Sequence, residues 1–221
     1  MFTLKDGHLS LTYKTTGHIL YVMKVIKKNT DTKEILLKTG IRLFSEHGYH
    51  GTGIKEIVDA SGIPKGSFYN YFQSKEEFAA EIVLHYAQIN SQRWVEYLAR
   101  DPADNAFDHL YKSFELMIEY HEGCAVKTGC LVGNLAGELA ESSELCRATL
   151  RSATATWCQR LAYLLKLAQL QGTVRQDHNA EELAEFCWNA WEGGLLRMKL
   201  ENSTEPVRHC IDVLFNGFLK P

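Results

Sequence analysis

The sequence is poor in the residues that build strands and membrane spans. It has 221 residues with only four prolines, and strings of valine, isoleucine and threonine are few. Because β-branched residues favour strands, their scarcity favours a mainly helical chain. No apolar run approaches the roughly 20 residues that a membrane-spanning helix needs. The stretch 17-GHILYVMKVIKK-28 is too short and is interrupted by charge.

Paired cysteines and catalytic motifs are also missing. None of the cysteines forms a C-x-x-C pair, and all lie in the C-terminal half: Cys124, Cys130, Cys146, Cys158, Cys187 and Cys210. With no secretory signal, this pattern favours free thiols in a reducing cytoplasm. There is no Gly-rich phosphate loop, metal-spaced His/Cys cluster or nucleophile elbow. We therefore expect no cofactor, no metal and no enzymatic activity; the alternative is a thiol-dependent enzyme that pairs Cys130 with a histidine.

The charge of the chain is unevenly distributed. The net charge is −3, but residues 24–75 carry nine Lys/Arg against five Asp/Glu, and residues 76–221 carry 13 against 21. A basic N-terminal part on an acidic body is suited to meet a polyanion. Chance variation over a segment of this length explains the imbalance equally well.

Apolar spacing and turn residues predict nine helices and no strand. Gly48 ends the first helix, Gly62 supplies a tight turn, and Pro64 opens the third. Ser74 and Glu77 form a capping box at the start of the fourth. The predicted helices cover about 30–47, 52–60, 65–71, 74–100, 103–122, 130–140, 143–171, 179–201 and 204–219.

The first residues show no clear period. The stretch 23-MKVIKKNTDTKEILLKTG-40 reads like a natural start. We expect residues 1–28 to be an N-terminal extension, with residues 1–22 upstream of an initiator at Met23. The alternative is a genuine basic arm.

Residues 54–72 have the spacing of a helix-turn-helix. In that motif the second helix enters the major groove and the first braces it across the backbone. Phe68 and Phe72 are four positions apart and share the inner face of the third helix, which leaves the polar residues to the other faces. Lysines and tyrosine hydroxyls suit phosphates, whereas serine and asparagine reach base edges. The bare pattern also fits a structural hairpin with solvated lysines.

The segment 41-IRLFSEHGYHGTGIKEIVDASGIPKGSFYNYFQSKEEF-78 closely resembles the N-terminal domain of TetR-family transcriptional repressors. The shared pattern is F-x-x-x-G-Y, then T-x-I-x-x-I, a turn, and K-G-x-[FL]-Y-x-[YH]-F-x-S-K-E, and it covers about residues 30–80. The resemblance implies an all-α homodimer, with a DNA-binding head over residues 29–75 and a ligand-binding and dimerisation body over residues 76–221.

What the resemblance implies about function is a DNA-binding regulator at the nucleoid of the bacterial cytoplasm. We expect a repressor that binds a palindromic operator and is released by a small molecule, electrophile or oxidant. A protein-interaction module is a further alternative. By position, the DNA contacts of the family fall on Thr52, Gly53, Lys65, Gly66, Ser67, Tyr69, Asn70, Tyr71 and Lys75. Gly53 departs from the family, where a second threonine is common.

In this family the central helices usually enclose the effector. The candidate lining is rich in aromatic and sulfur-containing side chains: Trp94, Tyr97, Phe114, Met117, His121, Trp157 and Trp188. Each of these also fits ordinary core packing. Cys130, in 128-TGCLVGNLAGELAESSE-144, stands at a helix start that favours thiolate. This segment and 191-WEGGLLRMKL-200 resemble the NemR-like subgroup, which responds to electrophiles, and the resemblance places Lys199 beside the thiol as a cation that lowers its pKa.

The last two predicted helices carry long apolar stripes. Two such stripes either close the core of their own chain or build a four-helix bundle with a second copy. We expect the second arrangement, with a dimer interface that contains Leu183, Phe186, Cys187, Trp191, Gly194, Met198, Val207, Ile211, Leu214, Phe215 and Phe218.

Overall fold

The computed structural model describes residues 17–100 and 105–221, with side chains from residue 31 onward except those of residues 98 and 100. Across these ranges the chain is built of helices without a strand, which confirms the predicted all-α fold. None of the helices described is long and apolar enough to cross a membrane. The elements are α1 Gly17–Gly51, α2 Ile54–Ser61, α3 Lys65–Tyr69, α4 Lys75–Arg100, α5 Ala106–Gly123, α6 Leu131–Leu139, α7 Glu144–Leu170, α8 Ala180–Glu201 and α9 Glu205–Val213, followed by a π-helical turn at Leu214–Phe218.

Helix α1 begins before the predicted start near residue 30. Its backbone is helical from Gly17, so residues 17–28 of the predicted extension continue directly into it. Residues 1–16, where most of that extension falls, lie outside the described residues. The predicted break at Gly48 is confirmed, because φ of 74° there is in the left-handed region that glycine tolerates.

Turn and cap residues fix the angles of the head. Gly62 ends α2 with φ of 67°, and Pro64 is the N-cap of α3 rather than its first helical residue. At the start of α4, Ser74 Oγ accepts the Glu77 N–H at 3.0 Å, as the capping box predicts. The Glu77 carboxylate reaches back to the N–H of Gln73 at 2.6 Å, one residue earlier than expected.

Two apolar cores lie along the molecule. The first joins α1, α2 and α3 to the N-terminal part of α4, to α6 and to the start of α7. The second lies among α4, α5, α7, α8 and α9. Gly40 lets α1 approach α4 closely, since a Cβ there would lie 2.4 Å from Ile82 Cδ1. Cys130 packs against both cores, so it stands where the head meets the body.

The stripes predicted for the dimer interface belong mainly to the core of the protomer, so that residue assignment is wrong for most of its members. The residues buried inside the chain are Leu183, Cys187, Trp191, Gly194, Met198, Val207, Ile211, Leu214 and Phe215. Gly194 lets α9 pack tightly on α8, because a Cβ there would lie 3.1 Å from Val207 Cα. Only Phe186, at 49% exposure, and the half-buried Phe218 reach the surface.

Candidate functional site

Helix α3 has a polar outer face, and its inner face packs against buried aromatic rings. Phe68 and Phe72 are fully buried, and their ring centroids lie 5.1 Å and 4.7 Å from that of Phe78 on α4. The predicted inner face is therefore confirmed. Outside it, Tyr69 is 46% exposed and packs its ring edge-on against Phe68. The exposed or half-buried positions of the predicted DNA set are Gly53, Lys65, Gly66, Ser67, Tyr69, Asn70, Tyr71 and Lys75.

The structure does not support the predicted DNA contact of Thr52. Its side chain is fully buried, and its hydroxyl donates to the carbonyl of Gly48 at 2.8 Å. A second, longer contact reaches the carbonyl of Leu43 at 3.4 Å. Thr52 therefore satisfies carbonyl groups around the break in α1, and the N-cap of α2 falls to Gly53, which has no side chain to cap with.

Lys75 is engaged within the protein. Its ammonium donates to the carbonyl of Tyr49 at 2.5 Å and lies 4.0 Å from the centroid of the Tyr49 ring. Burial lowers the pKa of Lys75, against the opposing attraction of Glu138. The side chain predicted to hold a phosphate thus fastens the start of α4 to the end of α1.

Glu138 on α6 also binds the end of α1, from the side of the body. Its carboxylate accepts the backbone N–H groups of Tyr49 at 3.0 Å and His50 at 2.9 Å. A Cβ at Gly48 would lie 2.6 Å from Glu138 Oε1, so the glycine also makes room for this carboxylate. The contact ties α6, a helix of the body, to the segment that leads into the reading head.

A cavity of about 640 Å³ lies between the head and the body. It contains eight of the nine predicted effector residues, namely Trp94, Tyr97, Phe114, Met117, His121, Cys130, Trp157 and Trp188. Lys199 is not among its lining residues. Exposed side chains such as Lys38, Glu46 and Val126 also line it, so the cavity reaches the surface.

The aromatic wall is one packed series of rings. The Trp157 ring centroid lies 5.4 Å from that of Trp94 and 6.1 Å from that of Trp188, onto which Trp157 stacks. Phe114 packs against Trp191 at 5.2 Å. Burial, and then nearby cations, lower the pKa of His121 to about 4, so it is neutral at pH 7. Among the described residues, no three or more His, Cys, Asp or Glu side chains are grouped to hold a metal ion.

The surroundings of Cys130 oppose the thiolate that was expected there with support from Lys199. Cys130 is the N-cap of α6, but its side chain makes no capping hydrogen bond. Burial, and then the neighbouring Glu192 carboxylate, raise the pKa of the thiol well above its ordinary value. Lys199 Nζ donates a hydrogen bond to Asn134 Oδ1 at 3.3 Å, and the Lys199 side chain passes near Gly129.

Glu192 lies beside Cys130, because a Cβ built on Gly133 would lie 2.5 Å from Glu192 Oε2 and 3.8 Å from Cys130 Cβ. Burial raises the pKa of Glu192 to about 7, and the neighbouring Cys130 acts against this shift. The atom Glu192 Oε1 is shielded from solvent and has no hydrogen-bond partner in the part of the chain that the structure describes. The side chain paired with Cys130 is thus a carboxylate, not the histidine of the enzyme alternative.

Sequence reasoning missed Glu192 and Glu138. Glu192 lies four positions after Trp188, so the two side chains are neighbours on one face of α8. An acidic residue inside the apolar stripe of α8 was the available signal. Glu138 gave no such signal, since its partners are backbone groups nearly ninety positions away.

Comparison with known proteins assigns both parts of the chain. Residues 36–82 match the family described as bacterial regulatory proteins, tetR family. Residues 106–214 match the tetracyclin repressor-like C-terminal domain. The two matches cover the head and the body respectively.

Several relatives match along nearly their whole length. The transcriptional repressor DhaR of Mycobacterium sp. is 32% identical over 190 residues, which are 86% of this chain and 93% of DhaR. The transcriptional regulator AcuR of Cereibacter sphaeroides is 35% identical over 179 residues, 78% of each chain. The crystal structure of reduced Escherichia coli NemR has a TM-score of 0.77 at 26% identity, covering 84% of this chain and 96% of NemR. The chain therefore belongs to the TetR family of DNA-binding transcriptional regulators.

Proposed function

We propose that this protein is a repressor that binds a palindromic operator as a homodimer and releases it when a small molecule enters the cavity. The observation that carries the proposal is the outer face of α3, which keeps Lys65, Tyr69 and Asn70 exposed over the buried rings of Phe68 and Phe72. A rigid aromatic base beneath polar side chains suits a recognition helix. Such a regulator acts on the chromosome, which places it at the nucleoid of a bacterial cytoplasm.

The exposed side chains of the proposed contact set have suitable partners on duplex DNA. The Lys65 ammonium and the Tyr69 hydroxyl suit phosphate oxygens, and the Asn70 amide suits a base edge, with adenine its best match. Gly53 and Gly66 have no side chain to hold the backbone away from a strand, and Ser67 and Tyr71 stand beside them. Thr52 and Lys75 are left out of the contact set because both are engaged within the protein.

The outer faces of α8 and α9 are the proposed dimer interface. Apolar side chains stand on this surface at heptad-like spacing, and Gly193 leaves room for a close approach. Leu196 is 58% and Leu200 76% exposed. The proposed contact residues are Phe186, Gly193, Leu196, Leu200, Val213 and Phe218. Two such helices from each protomer would form a four-helix bundle.

The effector is proposed to bind in the cavity between head and body. Cys130 lines this cavity and packs against both apolar cores, so a molecule that reacts with it or displaces it acts where the two parts meet. Effector and operator would then favour different arrangements of the head, which is a coupling between two sites. We retain Cys130 as the proposed sensor of electrophiles or oxidants.

Selection of bound duplexes from a random pool tests the DNA proposal. The expected product is an inverted repeat whose half-sites are one helical turn apart, with affinity that falls steeply with salt. Recovery of no sequence, together with binding that salt does not weaken, would reject it. Steady turnover of a substrate would favour the enzyme alternative instead.

The effector proposal is tested by operator release. Quinones, aldehydes and hypochlorite are titrated against the protein–operator complex of the wild type and of Cys130→Ser. The variant is expected to keep its operator affinity and to lose release. Cys158→Ser, which changes a half-buried thiol outside the cavity, is the matched control. Release from Cys130→Ser at wild-type concentrations would show that Cys130 is not the sensor.

A further inference from the structure

All four tryptophans of the chain line the cavity between the head and the body. Trp157 stacks on Trp188 with their ring planes inclined by 26°, and the Trp94 ring packs edge-on against Trp157. Trp191 joins this series through Phe114. The face of an indole ring carries negative electrostatic potential, and tryptophan attracts cations more strongly than tyrosine or phenylalanine does. The wall of the cavity therefore suits a positively charged group.

A carboxylate belongs to the same wall. Glu192 lines the cavity and lies four positions after Trp188 on α8. Its Oε1 is shielded from solvent and has no hydrogen-bond partner among the described residues. A buried carboxylate without a partner retains the cost of removing its charge from water, and burial accordingly raises the pKa of Glu192 to about 7. A cation beside Glu192 would offset that cost.

The other charged side chains that line the cavity from α1 are paired. Glu46, the second carboxylate of the lining, lies 3.0 Å from Arg42. The ammonium of Lys38 lies 2.6 Å from the carboxylate of Glu34. Within the part of the chain that the structure describes, Glu192 is thus the cavity carboxylate that has no cationic partner.

The remaining cations near the cavity act away from Glu192. Arg93 and Lys127 contribute to the lowered pKa of His121, which places their charges on the side of α4 and α5. Lys199 of α8 donates to a side-chain oxygen of α6 and is not among the lining residues. No described cation opposes the effect of burial on the pKa of Glu192. The wall that contains α8 is therefore the place for a positive ligand.

We propose that the cavity binds a monovalent organic cation, a quaternary or protonated amine, with its charge beside the Glu192 carboxylate and among the tryptophan rings. The inference rests on the proposed effector role of the cavity and names the class of ligand. The carboxylate supplies the opposite charge, and the rings replace lost water by apolar and cation–π contacts. Arg160, which does not line the cavity, lies 5.9 Å from the centroid of the Trp157 ring, so this ring already attracts one cation. An uncharged molecule of the same shape leaves Glu192 unpaired, and an anion adds a second negative charge beside it.

The pH dependence of binding follows from Glu192. A permanently charged ligand favours the ionised carboxylate, so its affinity is expected to rise with pH through about 7 and then to level off. The titratable groups beside the carboxylate stay neutral over this range. Burial raises the pKa of Tyr86 on α4 and that of Cys130 before α6. On α5, His121 has its pKa lowered to about 4.

Titration with a matched pair of probes tests the proposal. Phenyltrimethylammonium and tert-butylbenzene have the same shape, and only the first carries a charge. Because every tryptophan of the chain lines the cavity, quenching of tryptophan fluorescence in the full-length protein reports occupancy. At pH 8 the cation is expected to bind about tenfold more tightly than tert-butylbenzene. Its affinity is expected to fall about tenfold between pH 8 and pH 6, while that of tert-butylbenzene stays constant.

Variants of α8 separate the carboxylate from the shape of the cavity. Glu192→Gln is expected to bind the cation at least tenfold more weakly at pH 8 and to lose the pH dependence. Its unchanged affinity for tert-butylbenzene would show that the cavity is intact. Glu192→Asp keeps the charge and is expected to restore part of the preference for the cation. Glu185→Gln removes an exposed carboxylate of the same helix and is expected to bind both probes as the wild type does.

Two results would overturn the proposal. The first is a wild-type protein that binds tert-butylbenzene as tightly as the cation, or more tightly, at pH 8. The second is a preference for the cation that persists unchanged in Glu192→Gln, since the charge would then be recognised elsewhere. Either result leaves operator selection and operator release by other molecules, which are measured separately, as they stand.

Discussion

The carboxylate of Glu138 accepts the backbone N–H of His50 at 2.9 Å, across 88 positions of sequence. Its other oxygen accepts the N–H of Tyr49 at 3.0 Å. These groups belong to the turn after Gly48, directly before the helices of the reading head. Glu138 lies two turns along α6 from Cys130, the residue that caps the helix and lines the cavity. A single short helix therefore connects the cavity to the head.

The first prediction concerns this connection. Glu138→Gln replaces one acceptor oxygen by an NH₂ group that faces a backbone N–H, so one of the two hydrogen bonds is lost. We expect the change in operator affinity caused by a cavity ligand to shrink several-fold, because allosteric couplings amount to about 1–3 kcal/mol and one charged hydrogen bond is of that size. Fluorescence anisotropy with a labelled operator, with and without ligand, measures it.

The matched control for the contact of Glu138 with Tyr49 and His50 is Glu141→Gln. It changes an exposed carboxylate just beyond the end of α6 without touching the turn. We expect it to respond to ligand as the wild type does. If the ligand changes the operator affinity of Glu138→Gln by the same factor as it does in the wild type, α6 does not transmit the signal through this carboxylate.

The second prediction separates two lysines of the head. Lys65→Ala is expected to weaken binding to all DNA sequences and to reduce the slope of log affinity against log salt by about one per head, since it removes one phosphate contact. Lys75→Ala is expected mainly to lower the free energy of unfolding, by about 1–2 kcal/mol, through loss of its hydrogen bond and ring contact with Tyr49.

Salt titrations of operator binding and urea denaturation, applied to both variants, distinguish these effects. Lys55→Ala, on the exposed face of α2 and paired with Asp59, is a suitable control for general loss of positive charge. Unchanged stability and a flattened salt slope in Lys75→Ala would return that residue to the DNA-contact set.

Local patterns predicted the head well because its determinants are close in sequence. The spacing of Phe68 and Phe72 identified the inner face, Gly48 the break in α1, and Ser74 with Glu77 the start of α4. The predicted DNA contact of Thr52 was not supported, also for a local reason. Its hydroxyl donates to the carbonyl four residues earlier, and a motif match does not show this hydrogen bond.

The body was harder to predict because its determinants are tertiary. Helix α8 is apolar on two sides, with Leu195 and Met198 inside and Leu196 and Leu200 outside. The spacing of apolar residues therefore could not show which stripe packs against the rest of its own chain and which faces outward. The thiolate expected at Cys130 depended on its place at a helix start, whereas burial and then Glu192, 62 positions away on another helix, raise the pKa of the thiol.

The third prediction tests the revised dimer face. Leu196→Glu places a charge on the exposed outer stripe of α8 without disturbing the core beneath. If that stripe is buried between protomers, an unpaired charge costs about 3–5 kcal/mol, and the dimer dissociates at concentrations at least a hundredfold higher than for the wild type. Analytical ultracentrifugation measures the dissociation, and loss of operator affinity is expected to accompany it.

The control for the dimer face is Val95→Glu. It introduces the same change at an exposed valine of α4, outside the proposed interface. The dimer is expected to persist in this variant. A dimeric Leu196→Glu would place the interface elsewhere.

The fourth prediction is that Glu192 lowers the stability of the protein at alkaline pH. Burial raises the pKa of Glu192 to about 7, so the folded state holds a proton that the unfolded chain has lost. For a group with a raised pKa, stability is fully present below the unfolded value and is lost as pH rises through the folded value. We expect Glu192→Gln, which does not titrate, to be more stable than the wild type at pH 8 by about 2–3 kcal/mol, because a tenfold change in the ionisation constant of an acid corresponds to about 1.4 kcal/mol.

Urea denaturation at a series of pH values measures this difference, which is expected to vanish below the ordinary pKa of a glutamate. His121 supplies an internal contrast of the opposite sign. Burial lowers the pKa of His121 to about 4, so its contribution is lost as pH falls from 6.5 towards 4, and His121→Gln should flatten the profile only in that acid range. Equal stability of Glu192→Gln and the wild type at pH 8 would mean that the carboxylate ionises at little cost. A measured gain would show that the chain retains a destabilising acid beside Cys130, as expected of a group kept for its chemistry rather than for the fold.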